Sequence, residues 1–506
     1  MYDGDAGTLT QITDVDYPSN QADGAAKTVS SLTQTGGVAT AVTLAAHGYT
    51  NGRTVTIAGA SPAGYNGTVV ITYVDTTTFT YTVSGALASP AIGTITSQLL
   101  KQTVPGIVVI DGTYYVMTPD GTIYGSDIEL PLVWNALNYI TAEVEFDGGV
   151  AIAKYLNYLI AFGTWSTEFF YDAANATGSP LSRADNIYVP VGCADARSIA
   201  QGALSVVWMA QSKEGSSGAS AGRSIRMLEA FQHKTLSTPF VERIINADNL
   251  NSVRSFIFTL AGHMMYVITL VSSAVSLVYD FKSGLWYKWT GTTTGVAQTV
   301  TTVTNDGTLA TVTLAAHEYA DGDVVVMAGA AQAGYNGTFN ITYVDANTFT
   351  YTLAAAAATP ATGIITATGF TESYLPFMFH ATAANANLFI DQSNGYVYQL
   401  TDIAYNDNGA YIDFIVRTPK IDLGHNLEKR IARLDIIGDK AAGSAMVRYS
   451  KNDYQTHSTY RKVDLNLDRS GLTRIGMARR LSLDVRVTDA IPVRLERLDA
   501  TLEGGE

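Results

Sequence analysis

The sequence predicts an all-β fold: a β-propeller-like body, a C-terminal β-rich domain and two inserted small β-sandwich modules. Three observations predict it. The 506 residues include 45 Gly and 29 Tyr, with Thr in almost every apolar run, a composition that leans toward strands and turns. Short runs of period-two alternation recur with Asp-Gly or Asn-Gly between them. One stretch is also written twice, which marks a duplicated unit. A hydrophobic content of 47% with 15% charge fits an ordered chain, and the length suits about two to four domains.

Residues 1–33 read as the start of the propeller body. The first module, 34–97, contains "HGYTNGRTVTIAGASPAGYNGTVVITYVDTTTFTYT" from His47. From Val42 to Thr82 it aligns without a gap with Val312 to Thr352, and roughly two-thirds of the positions are identical. Residues 297–368 are therefore the second module. Within each copy the runs alternate at strand period, and Asn51-Gly52, Asn66-Gly67 and Asn336-Gly337 are dipeptides that tolerate the positive φ of tight hairpins. Two copies are too few for a solenoid. The joints "ALASPAIGT" and "AAAAATPATG" are what a self-contained unit spliced into a surface loop shows.

Residues 98–296 and 369–417 carry the body around the inserts. "GIVVIDGTYYVMTPDGTIYGSD" places Asp111-Gly112 and Asp120-Gly121 between tyrosine-rich runs. "YLNYLIAFGTWSTEFFYDAA", "GALSVVWMAQS", "HMMYVITLVSSAVSLVYDFKSGLWYKW" and "ANLFIDQSNGYVYQL" repeat the pattern. Small antiparallel units at comparable intervals predict propeller blades, with one large sandwich as the alternative. Residues 418–506 form the C-terminal β-rich domain, a candidate for docking on a partner. Arg474, Arg479, Arg480, Arg486, Arg494 and Arg497 lie there in strand-like alternation. Arginine suits bidentate pairing with a partner's carboxylates; contact with DNA in a lumen is the other reading.

Charge separates the parts. From Lys420 onward 16 basic residues face 13 acidic ones, +3, while 15 face 32 upstream, −17, for a total of −14. An acidic body is unsuited to gripping DNA, whose affinity for proteins comes largely from Lys and Arg. No apolar run reaches the roughly 18 residues of a membrane span. The opening "MYDGDAG" lacks a signal-peptide layout, so assembly in a cytoplasm is expected. The lone Cys193 cannot form an internal disulfide, and "VPVGCADA" offers it no local base; a buried structural thiol is expected.

Candidate chemistry is sparse. His47 and His317 recur at one site without a companion ligand, and structural roles are expected. Glu143, Glu145 and Asp147 sit at strand spacing, hence on one face, where a glycosidase pair or a solvated acidic edge would both fit. "EGSSGASAGRS" lacks the Gly-Lys-Ser/Thr of a phosphate loop. Its Gly218–Gly222 matches a nucleophile elbow around Ser220 but lacks the preceding apolar strand. Trp286 and Trp289 stand three apart at a strand end, so at most one faces inward, and blade packing accounts for them as well as sugar stacking does. The expectation is a non-enzyme without a metal or cofactor.

Several segments in order carry a resemblance. "IYGSDIELPLVWNAL", "LIAFGTWSTEFFYD", "VGCADARSIAQGALSVVWMAQS", "LSTPFVERII", "TPKIDLGHNLEKRIARLDIIGD" and "RIGMARRLSLDVRVTDAIPVRLERLDATLEG" resemble successive parts of the packaged-DNA stabilisation and tail-nozzle (tail tubular hub) proteins of short-tailed bacteriophages. The likeness runs from about Gly106 to Gly291 and from about Glu372 to Gly504. The repeats, with "YNGT" followed by "TFTYT", resemble the immunoglobulin-like inserts of phage structural proteins. The chain departs from the family at its start, where "GTLTQITDVDYP" looks like the middle of a first blade. The resemblance implies a virion tail protein, a homo-oligomeric ring and specifically a hexamer. Such a ring extends the portal-adaptor channel and meets tail fibre, tailspike or tail needle proteins. It retains packaged double-stranded DNA and conducts it at ejection without specific binding. A tail adhesin, or a glycan-binding or glycan-cleaving tail propeller, is the rival reading.

Overall fold

A computed structural model describes residues 2–3, 8–145, 147–202, 204–213, 222–407, 410–422 and 427–503. The chain forms two compact units. One comprises Met1–Phe258 with Tyr266–Ser273, the other Thr259–Met265 with Ala274–Glu506.

In the first unit, three antiparallel meanders follow one another in chain order. The first runs Val108–Ile110, Thr113–Met117, Thr122–Asp127 and Leu130–Thr141; the second runs Gly149–Tyr155, Tyr158–Gly163, Thr167–Asp172 and Leu181–Val189. The third is built on Gly192–Cys193, Val206–Gln211, Arg223–Glu229 and Gln232–Thr235, with Ala200–Gln201 also paired to its second strand. Turn chemistry sets the register. Asp111 at φ 47° and Gly112 at φ 84° close the first hairpin in two residues, opposing Ile110 to Thr113 as the Asp-Gly dipeptide predicts.

Period-two alternation then decides what packs where. On the second meander, Ile152, Leu159, Ala161 and Phe170 face the first and join Val108, Tyr115 and Met117 in one core. The alternate residues Ala151, Ile160, Phe162 and Phe169 face the third and join Cys193, Val206 and Trp208 in another. Each large side chain so buried contributes about 1.5–3 kcal/mol. A sheet buried on both faces between its sequence neighbours is the arrangement of a β-propeller blade, and the body is β-propeller-like. The strands Val253–Leu260 and His263–Leu270 come next, and the division between the units runs through them. In the second unit Val275–Asp280 pairs with Leu285–Trp289. A further meander joins Phe377–Ala383, Ala386–Asp391 and Val397–Leu400. The sole α-helix among the described residues, Pro239–Ala247, is capped by Thr238 and buries Val241 and Ile245.

Each repeat folds as two sheets around its own core. In the first copy the strand Lys27–Thr35 serves both sheets: Lys27 and Thr28 pair with Ser97 and Thr96, and Val29–Thr35 pair with Val38–Thr43. The core holds Leu32, Val55, Ile57, Tyr65, Phe79 and Tyr81. This fold therefore begins at Lys27, ahead of the expected boundary at 34, because the polar strand "KTVSSLTQT" carries too few apolar residues to announce itself. The second copy repeats the plan around Val303, Val325, Met327, Tyr335, Phe349 and Tyr351, and its last strand, Gly363–Ser373, runs past the expected end at 368 to pair with Gly291–Thr294. The Asn-Gly dipeptides at 66 and 336 are not tight hairpins. Asn66 and Asn336 have φ −80° and −85°, and their amides bracket the loop by accepting from and donating to the backbone of Ala60 and Ala330 at 2.7–2.9 Å.

The C-terminal domain is a sandwich. A four-stranded sheet of Phe414–Arg417, Ser482–Val487, Ser444–Ser450 and Arg461–Asp464 faces a three-stranded sheet of Gly471–Ala478, Lys429–Gly438 and Leu495–Glu503. Leu434, Ile436, Val447, Leu472, Leu483 and Val485 fill the space between them. It takes in Phe414–Arg417, four residues before the expected start at 418, through the pairing of this strand with Ser482–Val487.

Candidate docking surface of the C-terminal domain

The six arginines singled out in the sequence fall into three situations. Arg474 and Arg479 are exposed, and among the described residues neither has an ion pair. Arg474 stands at φ 58° where the register between Gly471–Ala478 and Lys429–Gly438 shifts. Arg480, Arg494 and Arg497 are exposed but reach carboxylates of their own chain: Asp453 at 3.8 Å, Glu496 at 3.2 Å with Asp439 at 3.7 Å, and Asp499 at 3.2 Å. Exposed pairs of this kind contribute little, about 0–1 kcal/mol, and exchange readily for a partner's carboxylate.

Arg486 corrects the expectation. It is 7% exposed, with Asp413 at 2.8 Å and Asp323 at 3.7 Å, and Nη1 donates to the Gly322 carbonyl at 2.6 Å. Its partners lie within the chain. The strand "SLDVRV" alternates as though Ser482, Asp484 and Arg486 faced water, yet all six residues are buried, so this strand is covered on both faces.

Two buried carboxylates escaped the sequence reading. Asp484 takes Arg417 at 2.8 Å and Arg448 at 3.0 Å, and Asp435 takes Arg433 at 2.5 Å and Arg469 at 2.9 Å. Their charges are buried but paired, as burial requires. His457 beside Asp484 is held below its usual range by burial and then by Arg448, so it is neutral near pH 7. The only signal for these residues was a lone acid inside an apolar strand.

The chemical candidates elsewhere resolve into packing. In both repeats the histidine ring is clamped alike: Nδ1 of His47 accepts from the Tyr49 amide at 2.9 Å and Nε2 meets the Asp75 carbonyl at 2.9 Å; His317 does the same with Tyr319 and Asp345 at 3.0 and 2.9 Å. This fixes a neutral tautomer with Nε2 protonated. Cys193 is buried beside Trp208 in the core, and burial pushes its thiol up to about 12, away from thiolate chemistry. Glu143, Glu145 and Asp147 lie in the connection between Leu130–Thr141 and Gly149–Tyr155, which corrects the one-face expectation. Asp147 Oδ2 accepts from the Trp165 and Ser166 amides at 2.5 and 2.8 Å, and Glu145 reaches Lys213 at 3.2 Å. The Asp147 and Glu145 carboxylates satisfy loop donors rather than line a strand. Trp286 packs on Tyr279 at 5.2 Å between ring centroids. The elbow-like segment around Ser220 lies outside the described residues.

A family model described as "Phage_stabilise: Bacteriophage P22 Gp10, beta-propeller" matches residues 8–314. No curated protein matches the sequence. Among solved structures, BamB from Moraxella catarrhalis shares 12% identity over 75% of this chain and 98% of its own, with a TM-score of 0.27. The phage phi92 endosialidase shares 12% over 54% of each chain, at 0.14. A glycoside hydrolase shares 9% over 94% of this chain and 97% of its own, at 0.19.

Proposed function

The chain belongs to the phage stabilisation family of β-propeller proteins, and from that premise we propose that it is a structural virion protein of the tail nozzle or hub. In this reading a homohexameric ring extends the portal-adaptor channel of a short-tailed phage, keeps packaged double-stranded DNA inside and conducts it at ejection. The observation that carries the reading is the family match over 8–314, which takes in the three meanders packed face to face. Charge supports it. The upstream part, at −17, suits a channel wall that centres a duplex without gripping it, since a basic wall would bind through counterion release. The two repeats serve as immunoglobulin-like modules, and the role is structural rather than catalytic. The native mass of the purified assembly separates the readings: a hexameric ring supports the nozzle, whereas a trimer favours an adhesin.

The C-terminal sandwich is proposed to dock on a neighbouring tail component through its exposed arginines. Reversing Arg479 and Arg480 together to Glu turns two positive charges into two negative ones on that surface. It breaks one exposed pair, to Asp453, so stability is expected to change by less than about 1 kcal/mol. Incorporation into particles is expected to fall at least about tenfold, as repulsion at one contact costs more than 1.4 kcal/mol. Normal incorporation of the double variant, read from purified particles, contradicts docking through this surface.

A further inference from the structure

The second and third meanders leave between them an open cavity of about 460 Å³, within the range of about 300–1,000 Å³ that small-molecule sites occupy. From the second meander come Trp165, in the turn after Tyr158–Gly163, and Tyr188, near the end of Leu181–Val189. The third supplies Arg226, His233 and, just after Val206–Gln211, Ser212 and Lys213. Register explains why polar groups gather there. Arg226 lies opposite Trp208, and His233 opposite Leu228. Residues directly opposite share a face of the sheet, and Trp208 and Leu228 pack against the second meander. Arg226 and His233 are thus turned the same way, yet they line the cavity instead of joining the core.

The cavity holds donors that the chain itself does not use. Among the described residues, the Arg226 guanidinium makes one hydrogen bond, from Nε to Ser224 Oγ at 3.2 Å, and no ion pair. Glu242 acts on it electrostatically without pairing. Other partly buried arginines are matched: Arg183 with Glu168 at 2.9 Å, Arg448 with Asp484 at 3.0 Å, and Arg223 with the carbonyls of Ile245 and Asp248 at 3.0 and 2.7 Å. Withdrawing a charge from water without a counter-charge is costly, and a bound anion removes that cost. The His233 ring, the Trp165 indole N–H and the Tyr188 hydroxyl also have no hydrogen-bond partner among the described residues. Burial, and then Arg226, hold His233 below its usual range, so near pH 7 its neutral ring offers one donor and one acceptor. Glu145, paired with Lys213 at 3.2 Å, adds an acceptor and a negative charge.

We propose that this cavity binds a carboxylated sugar of the hexuronate class, its carboxylate on Arg226 and its ring against Trp165 and Tyr188. The guanidinium fork matches a carboxylate bidentately, and aromatic side chains with a few placed polar groups suit a ring that is apolar on its faces and polar at its edge. Hydroxyl groups use Glu145, Ser212 and His233, which accept as well as donate. A bare inorganic anion would leave the aromatic surface and these acceptors unused, and a doubly charged phosphate would be repelled by Glu145. The site binds without cleaving: among the described residues Glu145 is the one carboxylate lining the cavity, whereas glycoside hydrolysis ordinarily uses two. It stands independently of the tail-nozzle reading.

Saturation-transfer NMR on the full chain, with glucuronate as the probe, is expected to show binding with a dissociation constant of about 1 mM, in keeping with the ligand's size. Glucose, which lacks the carboxylate, is expected to bind at least about tenfold more weakly, and an equal concentration of inorganic phosphate to leave glucuronate bound. Arg226→Gln is expected to weaken glucuronate by about tenfold or more and to leave glucose nearly unchanged. Tyr188→Ala, at an exposed position, is expected to weaken both sugars. Absence of transfer to glucuronate in the wild type overturns the proposal, as does glucose binding equally well. Displacement by phosphate reduces the cavity to an anion site and also overturns it. Unchanged glucuronate affinity in Arg226→Gln, or in Tyr188→Ala should the first variant fail to fold, overturns it by moving the binding elsewhere.

Discussion

Replacing Arg486 with methionine is expected to destabilise the C-terminal half of the chain by about 3–5 kcal/mol, the cost of removing one member of a buried ion cluster. The side chain is 9% exposed and Asp413 only 2%. Methionine fills much of the volume but leaves Asp413 buried without its cation and the Gly322 carbonyl without its donor. Arg479→Met provides the contrast: exposed and, among the described residues, without an ion pair, it is expected to change stability by no more than about 0.5 kcal/mol. Adding Asp413→Leu to Arg486→Met removes the stranded charge, and a part of the loss is expected to return. A chain with two compact units need not unfold in one step. The comparison therefore rests on local unfolding free energies, read from the exchange of core amides in Ser482–Val487. Equal losses for Arg486→Met and Arg479→Met contradict the account of the junction.

Much of the fold was legible because its signals are local. Asp111-Gly112 predicted a two-residue hairpin and closes one. The runs around Tyr155, Tyr158 and Trp208 predicted blades, and their alternate residues divide between two cores. The repeat declared itself by identity alone, and the conserved histidine turned out to pin its own loop in both copies.

What escaped depended on contacts distant in sequence. "SLDVRV" carries the period of a half-exposed strand, and nothing local says that Asp484 meets Arg417 and Arg448, or that Arg486 meets a turn 164 residues away. The same holds for Glu143, Glu145 and Asp147. Strand spacing is visible in the sequence, whereas the Trp165 and Ser166 amides that claim Asp147 are not. The first repeat begins at Lys27 because pairing with Thr96 and Ser97 makes a strand of residues that are polar by composition. The turns at 51–53 and 321–323, Asn-Gly-Arg in one repeat and Asp-Gly-Asp in the other, were present in the alignment as three letters, and acquired meaning only when Tyr460 and Arg486 were found against the second.

In the proposed function, this protein keeps a packaged genome in place until ejection. If that function holds, particles assembled from a phage lacking it are expected to fill with DNA and then release it, driven out by the repulsion within a confined duplex. The expected effect is near total: supplying the chain in trans restores retention, and supplying the Arg479→Glu, Arg480→Glu double variant does not. The decisive measurement is the nuclease-protected DNA per head in such particles, followed over time after packaging. Heads are expected to begin full and to lose their protected DNA. Heads that stay full, stable and infectious without this protein would contradict that function.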